Sequence, residues 1–93
     1  MLMIHEVDLT NAKKDIRKVP LHIRTKLLGW VDDVEERGLE EVRKVPGWHD
    51  EPLKGDRKGQ RSIRLSRSYR AIYVVKKTFI EFVSVEEVNK HEY

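Results

Sequence analysis

The sequence contains no cysteine, which excludes disulfides and thiolate metal ligands. That absence agrees with the reducing cytoplasm, which is the location that we expect. The first residues lack the basic region and the long apolar stretch of a secretory signal. No segment is apolar for long enough to span a bilayer, so we expect no membrane partner.

Glycine and proline are also scarce, with five and three in 93 residues. No internal repeat, low-complexity tract or linker rich in these residues divides the chain. A chain of this length buries one modest core. We therefore expect a single domain over residues 1–93.

The net charge of +3 is distributed unevenly along the chain. Residues 54–70 carry seven basic side chains and one acidic one, whereas residues 32–41 carry six acidic side chains and one basic one. Two poles of opposite sign indicate a directed field and a polyanionic partner. Composition alone also fits two ordinary solvated faces, and it leaves both interpretations open.

Apolar spacing predicts a strand and two helices in the first half of the chain. Leu2, Ile4 and Val7 indicate a short first strand, and Asp8 or Thr10 can cap the helix that follows. Apolar positions three and four residues apart mark the helices, which Pro20 separates and Gly38 ends. These positions are Leu9, Ala12, Ile16 and Val19, then Ile23, Leu27, Trp30, Val31 and Val34.

Beyond a short helical turn that ends at Pro46, the apolar pattern becomes that of strands. The segments Gln60–Ser66, Tyr69–Lys76 and Thr78–Val85 are alternating or rich in β-branched and aromatic residues. We therefore expect an α+β fold with an N-terminal strand, two helices and a three-stranded antiparallel meander. Two helices can cover one face of such a sheet and leave the other face open.

The turn between the first two meander strands decides where two arginines lie. A two-residue turn at Arg67-Ser68 makes Arg64 and Arg70 face away from each other, whereas a three-residue turn places them directly opposite. The second register puts apolar side chains more consistently on the core face, so it is favoured. The core-face residues would be Ile63, Leu65, Ala71, Tyr73 and Val75.

Two guanidiniums opposite each other on a sheet destabilise it unless an anion lies between them. Arginine suits phosphate, because its planar fork donates two parallel hydrogen bonds. Arg64 and Arg70 are therefore candidates for a phosphate site. In the alternative interpretation, both side chains extend into water or pair with Glu81 or Glu86.

The C-terminal tail carries the strongest candidate for proton transfer. His91 has an imidazole, which titrates near neutral pH, and Tyr93 can orient or stack a base. A frayed terminus without a role is the alternative. The other histidines are His5, His22 and His49; no two have metal-ligand spacing, so we predict no metal site and no cofactor.

Two segments resemble the signature of RelE/HigB toxins. They are Pro-Leu-Lys-Gly-Asp-Arg-Lys-Gly-Gln-Arg-Ser-Ile-Arg at residues 52–64 and Ser-Tyr-Arg-Ala-Ile-Tyr at residues 68–73. The resemblance covers essentially the whole chain and implies the same order of strands and helices. It implies an endoribonuclease that needs no metal and cuts messenger RNA on the ribosome. It also implies an antitoxin partner, often one with a helix-turn-helix domain.

The resemblance also implies roles for individual residues. Lys54, Arg64 and Arg70 match basic catalytic positions, and His91 and Tyr93 match the tail that transfers protons or orients the substrate. Two departures leave the general base unassigned. Relatives often end in Asp-Tyr-His where this chain ends in His-Glu-Tyr, and some carry histidine where this chain has Glu51.

In the reaction that this resemblance implies, the 2′-hydroxyl of RNA attacks the neighbouring phosphorus, the bond to the 5′-oxygen breaks, and a 2′,3′-cyclic phosphate remains. Arg64 and Arg70 would stabilise the developing charge, His91 would move one proton, and Lys54 or Glu92 would take the complementary role. Two alternatives remain, a gyrase-binding ParE-like toxin of the same fold and an inactive RNA- or antitoxin-binding module. Backbone contacts to RNA are assigned to Arg57, Lys58, Arg61, Arg67 and Lys90.

Overall fold

The computed structural model describes residues 4–90, which form a five-stranded sheet with helices on one face. The strand order is β1-β5-β4-β3-β2; β1 runs parallel to β5, and the other neighbours are antiparallel. The predicted meander is therefore the centre of a wider sheet. The elements are β1 Glu6–Asp8, α1 Lys13–Lys18, α2 Leu21–Arg37, α3 Leu39–Val42, β2 Glu51–Pro52, β3 Arg61–Arg64, β4 Tyr69–Lys77 and β5 Glu81–Lys90.

Helix α2 is the main cover of the sheet. The Pro20 carbonyl accepts hydrogen bonds from the first turn, and Gly38 ends the helix with a φ of 88°, which favours glycine. All five predicted apolar positions are buried, each contributing about 1.5–3 kcal/mol of hydrophobic stabilisation. Within residues 4–90, no helix has both the length and the apolar content to cross a membrane.

Helix α1 is shorter than predicted because a 3₁₀ turn, Thr10–Ala12, takes its first residues. The Asp8 carboxylate accepts hydrogen bonds from the backbone and the hydroxyl of Thr10, which lowers the pKa of Asp8. Asp15 accepts the backbone N–H of Val88 at 3.0 Å. This bond joins α1 to the part of β5 that extends beyond its pairing with β1.

The core face of the meander matches the prediction at four of five positions. Ile63, Leu65, Ala71 and Tyr73 are at most 4% exposed. The prediction for Val75 was wrong, since 41% of this residue is exposed. Val75 lies beyond the last pairing of β3 with β4, Arg61 opposite Tyr73, so β4 is an edge strand at this point. The turn that follows, at residues 78–80, falls within the predicted strand Thr78–Val85.

Strand β5 continues beyond its predicted end at Val85 and contains a bulge. Val85 lies opposite Tyr73, but Glu87 lies opposite Ile72, so Glu86 is an extra residue. The bulge keeps both Val85 and Val88 in the core although they are three residues apart. It also turns Glu87 and Asn89 towards the face that the helices leave uncovered, here called the open face.

A carboxylate lies at the edge of the core, just before β2. The Asp50 side chain is 1% exposed and accepts hydrogen bonds from the Tyr73 hydroxyl and Arg61 Nε, both at 2.5 Å. Burial, together with the bond to Asp50, raises the pKa of Tyr73. The Tyr73 ring packs against Trp30 with 5.3 Å between centroids, so this polar cluster is continuous with the main core.

We expect Tyr73→Phe to lower the free energy of unfolding by about 1–3 kcal/mol, because it leaves a buried carboxylate short of one donor while it keeps the ring. Urea unfolding followed by tryptophan fluorescence measures the change. Tyr69→Phe is the matched control, since its hydroxyl donates no hydrogen bond within residues 4–90. Equal effects of the two substitutions would contradict the importance of the Asp50 contact.

Candidate nucleic-acid interface

The register of β3 and β4 places Arg64 directly opposite Arg70, which confirms the three-residue turn. The Leu65 N–H donates to the Tyr69 carbonyl at 2.9 Å and closes the hairpin. The Ser66 hydroxyl accepts the backbone N–H groups of Ser68 and Tyr69, both at 3.1 Å. Arg64 and Arg70, here called the arginine pair, therefore lie side by side on the open face.

Three polar residues and one apolar residue of the sheet lie beside the arginine pair. Asn89 of β5 lies opposite Arg70, and the adjacent row across the sheet is Ser62, Ile72 and Glu87. The Arg70 guanidinium donates to the Ser62 hydroxyl at 3.4 Å, and Ser62 is 3% exposed. This long contact orients Arg70 without neutralising its charge.

His49 contacts the other member of the pair. Its Nε2 lies 3.4 Å from Arg64 Nη1, and a guanidinium can only donate, so Nε2 is the acceptor. His49 has a left-handed backbone, with a φ of 46°, between the buried Trp48 and the buried Asp50 side chain. The exposed imidazole is therefore attached to a backbone that is fixed on both sides.

The sequence favours His91 over His49, because His49 lies in an irregular loop. The signal in favour of His49 is its two neighbours, Trp48 and Asp50, whose buried side chains attach the loop to the core. His91, Glu92 and Tyr93 lie outside the described residues. Their proposed roles remain predictions.

The loop of residues 53–60 extends across the sheet to β5. Arg57 donates two hydrogen bonds to Glu87, at 2.7 and 3.2 Å, and one to Gln60 at 3.0 Å. Asn89 donates to the same carboxylate at 2.7 Å. The contacts with Arg57 and then Asn89 lower the pKa of Glu87. Glu87, in the row next to the arginine pair, therefore already has a cationic partner. The pairing of the arginine pair with Glu81 or Glu86, the alternative considered from the sequence, is not found within residues 4–90.

The arginine pair has no acidic partner among the described residues. Within residues 4–90, no carboxylate lies within 4.0 Å of Arg64 or Arg70. Neighbouring strands are about 4.8 Å apart, so two guanidiniums that start from adjacent strands can reach one anion. Chemically, the site can bind a phosphate with two cations and place an imidazole beside it.

The structure separates the other predicted basic residues into different surroundings. Lys54 and Lys58 are exposed in the loop of residues 53–60, Arg67 is exposed in the β3–β4 turn, and Lys90 is exposed at the end of β5. Arg61 requires a correction. Strand alternation directs it to the core side, where Asp50 holds its guanidinium, so we withdraw it from the RNA-contact set.

Comparisons with known proteins agree with this architecture. No protein-family model matches the sequence, and no curated protein matches it. Among solved structures, the chain is similar to the RelBE2 toxin–antitoxin complex from Mycobacterium tuberculosis, with a TM-score of 0.67 and 20% identity over 95% of this chain and 99% of that one.

Two further structures are similar. The YoeB/ParE toxin from Agrobacterium tumefaciens has a TM-score of 0.65 and 20% identity, over 97% of this chain and 100% of that one. YafQ from E. coli has a TM-score of 0.66 and 18% identity, over 92% and 90%. The chain has the RelE/ParE toxin fold. That confirms the fold predicted from the two sequence segments.

The Arg57–Glu87 contact predicts an acid dependence of stability. Because the pKa of Glu87 in the fold lies below its ordinary 4.5, the contact stabilises fully above that pH. The contribution is lost as the pH falls through the lowered pKa. We expect Glu87→Gln to lack this part of the acid dependence when urea midpoints are measured from pH 7 to 3. Glu36→Gln, on the exposed side of α2, should retain it. A full acid dependence in Glu87→Gln would argue against the contact.

Proposed function

We propose that this protein is the toxin of a type II toxin–antitoxin system and cuts messenger RNA on the ribosome. The observation that carries the proposal is the arginine pair. Two guanidiniums at directly paired positions on an open sheet face are costly in an unliganded protein, and an RNA phosphodiester between them removes that cost. The fold shared with RelE, YoeB and YafQ toxins supports the same assignment.

In the proposed reaction, the arginine pair binds the scissile phosphate and stabilises the charge that develops on it. The RNA supplies the nucleophile, its own 2′-hydroxyl, so the protein must move one proton away from this oxygen and one to the 5′-oxygen that leaves. His49 is placed beside Arg64 to take one of these transfers. His91, Lys54 and Glu92 are the proposed candidates for the other, and Tyr93 for orienting the base.

Lys58, Arg67 and Lys90 complete the proposed surface for RNA, where they contact phosphates of messenger or ribosomal RNA. None of the three forms a salt bridge within residues 4–90. Arg57, which the sequence also assigned to RNA, is held by Glu87, so we assign it to fixing the loop of residues 53–60. An antitoxin, of the helix-turn-helix type that the resemblance implies, is the proposed protein partner, and a similar structure is itself a toxin–antitoxin complex.

A ParE-like toxin that binds gyrase and cuts nothing is the second candidate, because one similar structure carries the names YoeB and ParE together. The unneutralised arginine pair next to an imidazole favours the nuclease. Primer extension on cellular messages after expression separates the two candidates, since only a nuclease produces discrete internal ends.

We expect Arg70→Ala, and separately Arg64→Ala, to lower the rate of message cleavage on translating ribosomes by about 10²–10³-fold, the usual cost of a lost charge-stabilising donor. Arg37→Ala, at the exposed end of α2, is the matched control and should cut normally. Near-normal cleavage by Arg70→Ala would show that this residue is not part of the site. If the unaltered protein itself produced no cleaved messages, the nuclease assignment would be contradicted.

His49→Gln should lower the same cleavage rate by about 10²–10⁴-fold if His49 is one of the two proton-transfer groups. His22→Gln, exposed in the first turn of α2, is the control for loss of an imidazole elsewhere. The pH profile of the rate should lose one limb in His49→Gln. An unchanged profile and rate would mean that the imidazole beside Arg64 is not used.

A further inference from the structure

A polar cleft lies between the α1 region and β5, next to the arginine pair. Its volume is about 740 Å³. Asn89 lines this cleft and also lies opposite Arg70 in the sheet, so the cleft and the phosphate site share a wall. The lining residues are Thr10, Asn11, Lys13, Lys14, Asp15, Arg17, Glu86, Glu87 and Asn89.

The three carboxylates in this cleft are already engaged by the protein itself. Each accepts at least one hydrogen bond of 3.0 Å or less from a group of the fold. Each carboxylate therefore has an internal hydrogen-bond partner, and two of the three, Glu86 and Glu87, also have a cationic one. The partners are the backbone N–H of Val88 for Asp15, the Asn11 amide and the Lys76 ammonium for Glu86, and the Arg57 guanidinium for Glu87.

The three cations in the cleft are not engaged in this way. Lys13, Lys14 and Arg17 are exposed on α1, and within residues 4–90 none of them forms a salt bridge. Lys13 and Arg17 are four residues apart, so they project from the same side of the helix. Asp15 fixes the position of that helix on β5 through its bond to Val88. The lining itself has three positive and three negative side chains, and Arg57 and Lys76, which pair with Glu87 and Glu86, give the cleft and its surroundings an excess of two positive charges.

We propose that the cleft between α1 and β5 binds the RNA strand that continues from the scissile phosphate, with Lys13, Lys14 and Arg17 contacting its flanking phosphates. This inference rests on the proposed function, because it extends the strand bound by the arginine pair across β5 and past Asn89. The contacts are to the backbone, so the cleft adds affinity without reading the base sequence.

The lining chemistry favours a nucleic-acid backbone over a protein partner. Every residue that lines the cleft is polar or charged. Protein interfaces usually have an apolar, aromatic-rich centre depleted of charge, whereas surfaces for nucleic acid are polar and positive. Continuity with the arginine pair favours the cleaved strand over a separate ribosomal strand.

The test measures binding of uncleavable single-stranded RNA, 2′-O-methyl at every position, to the purified full chain by fluorescence anisotropy at increasing salt. Two lengths are compared, a trinucleotide that spans only the arginine pair and a twelve-nucleotide strand. The variant is Lys13→Gln, Lys14→Gln and Arg17→Gln together. The control loses the same charge elsewhere on the surface and carries Arg37→Gln, Lys44→Gln and Lys77→Gln together. The conservative rescue keeps the charge of the cleft and carries Lys13→Arg, Lys14→Arg and Arg17→Lys together.

For the longer strand, each phosphate contact adds about 0.7 to the steepness of log K against log salt, so losing three should reduce it by about 2. The trinucleotide, the control and the rescue should remain unchanged. No effect on the longer strand would overturn the inference, as would equal losses for both lengths or failure of the unaltered chain to bind the longer strand. Weakening seen only with ribosomal subunits or with the antitoxin would overturn it too, by assigning the cleft to that partner.

Cleavage on translating ribosomes by the same proteins distinguishes the failure of this inference from that of the proposed function. If the unaltered protein and the cleft variant both cut normally while RNA binding is unchanged, the inference alone fails. If the unaltered protein cuts no message, the proposed function fails with it.

Discussion

The antiparallel pairing of β3 with β4, with Arg64 opposite Arg70, is the constraint on which the candidate site depends. A slip of one residue in this pairing would reverse the faces of one strand relative to the other and separate the guanidiniums. The core resists such a slip because Ile63 and Ala71, the adjacent pair, are both buried beneath the helices. Hydrophobic burial on one side of the sheet thus stabilises an unfavourable juxtaposition of charge on the other.

Charged residues near the site are divided between structural and available roles. Arg61 is held on the core side by the buried Asp50, and Arg57 is held on the open face by Glu87. Both ion pairs connect separate segments of the chain. Arg64 and Arg70 form no such pair within residues 4–90. Two arginines therefore fix loops, and two others have no acidic partner in the part of the chain that the structure describes.

The features that could be predicted from the sequence are those with a local period. The apolar stripe of α2 repeats at helical spacing, and the alternation of Ile63 with Leu65 and of Ala71 with Tyr73 was sufficient to favour one register. Arg64 and Arg70 were therefore placed correctly on one face. The resemblance of residues 52–64 and 68–73 to RelE/HigB toxins also predicted the order of strands and helices in the whole fold.

The features that could not be predicted depend on contacts between distant segments. The bulge at Glu86 breaks the alternation of β5, so no simple pattern directs Glu87 to the open face. Strand β2 has only two residues, too few for a period to be visible. The position of His49 depends on the burial of Trp48 and Asp50, which sequence reasoning treated as parts of an irregular loop.

The central claim is that one phosphodiester lies between Arg64 and Arg70. A structure of this protein on a ribosome, with a message that carries a single 2′-deoxynucleotide at the cleavage position, tests it most directly. The account predicts that both guanidiniums donate hydrogen bonds of about 2.7–2.9 Å to oxygens of the same phosphate. A message bound elsewhere on the protein, or an arginine pair that contacts only water, would contradict the account.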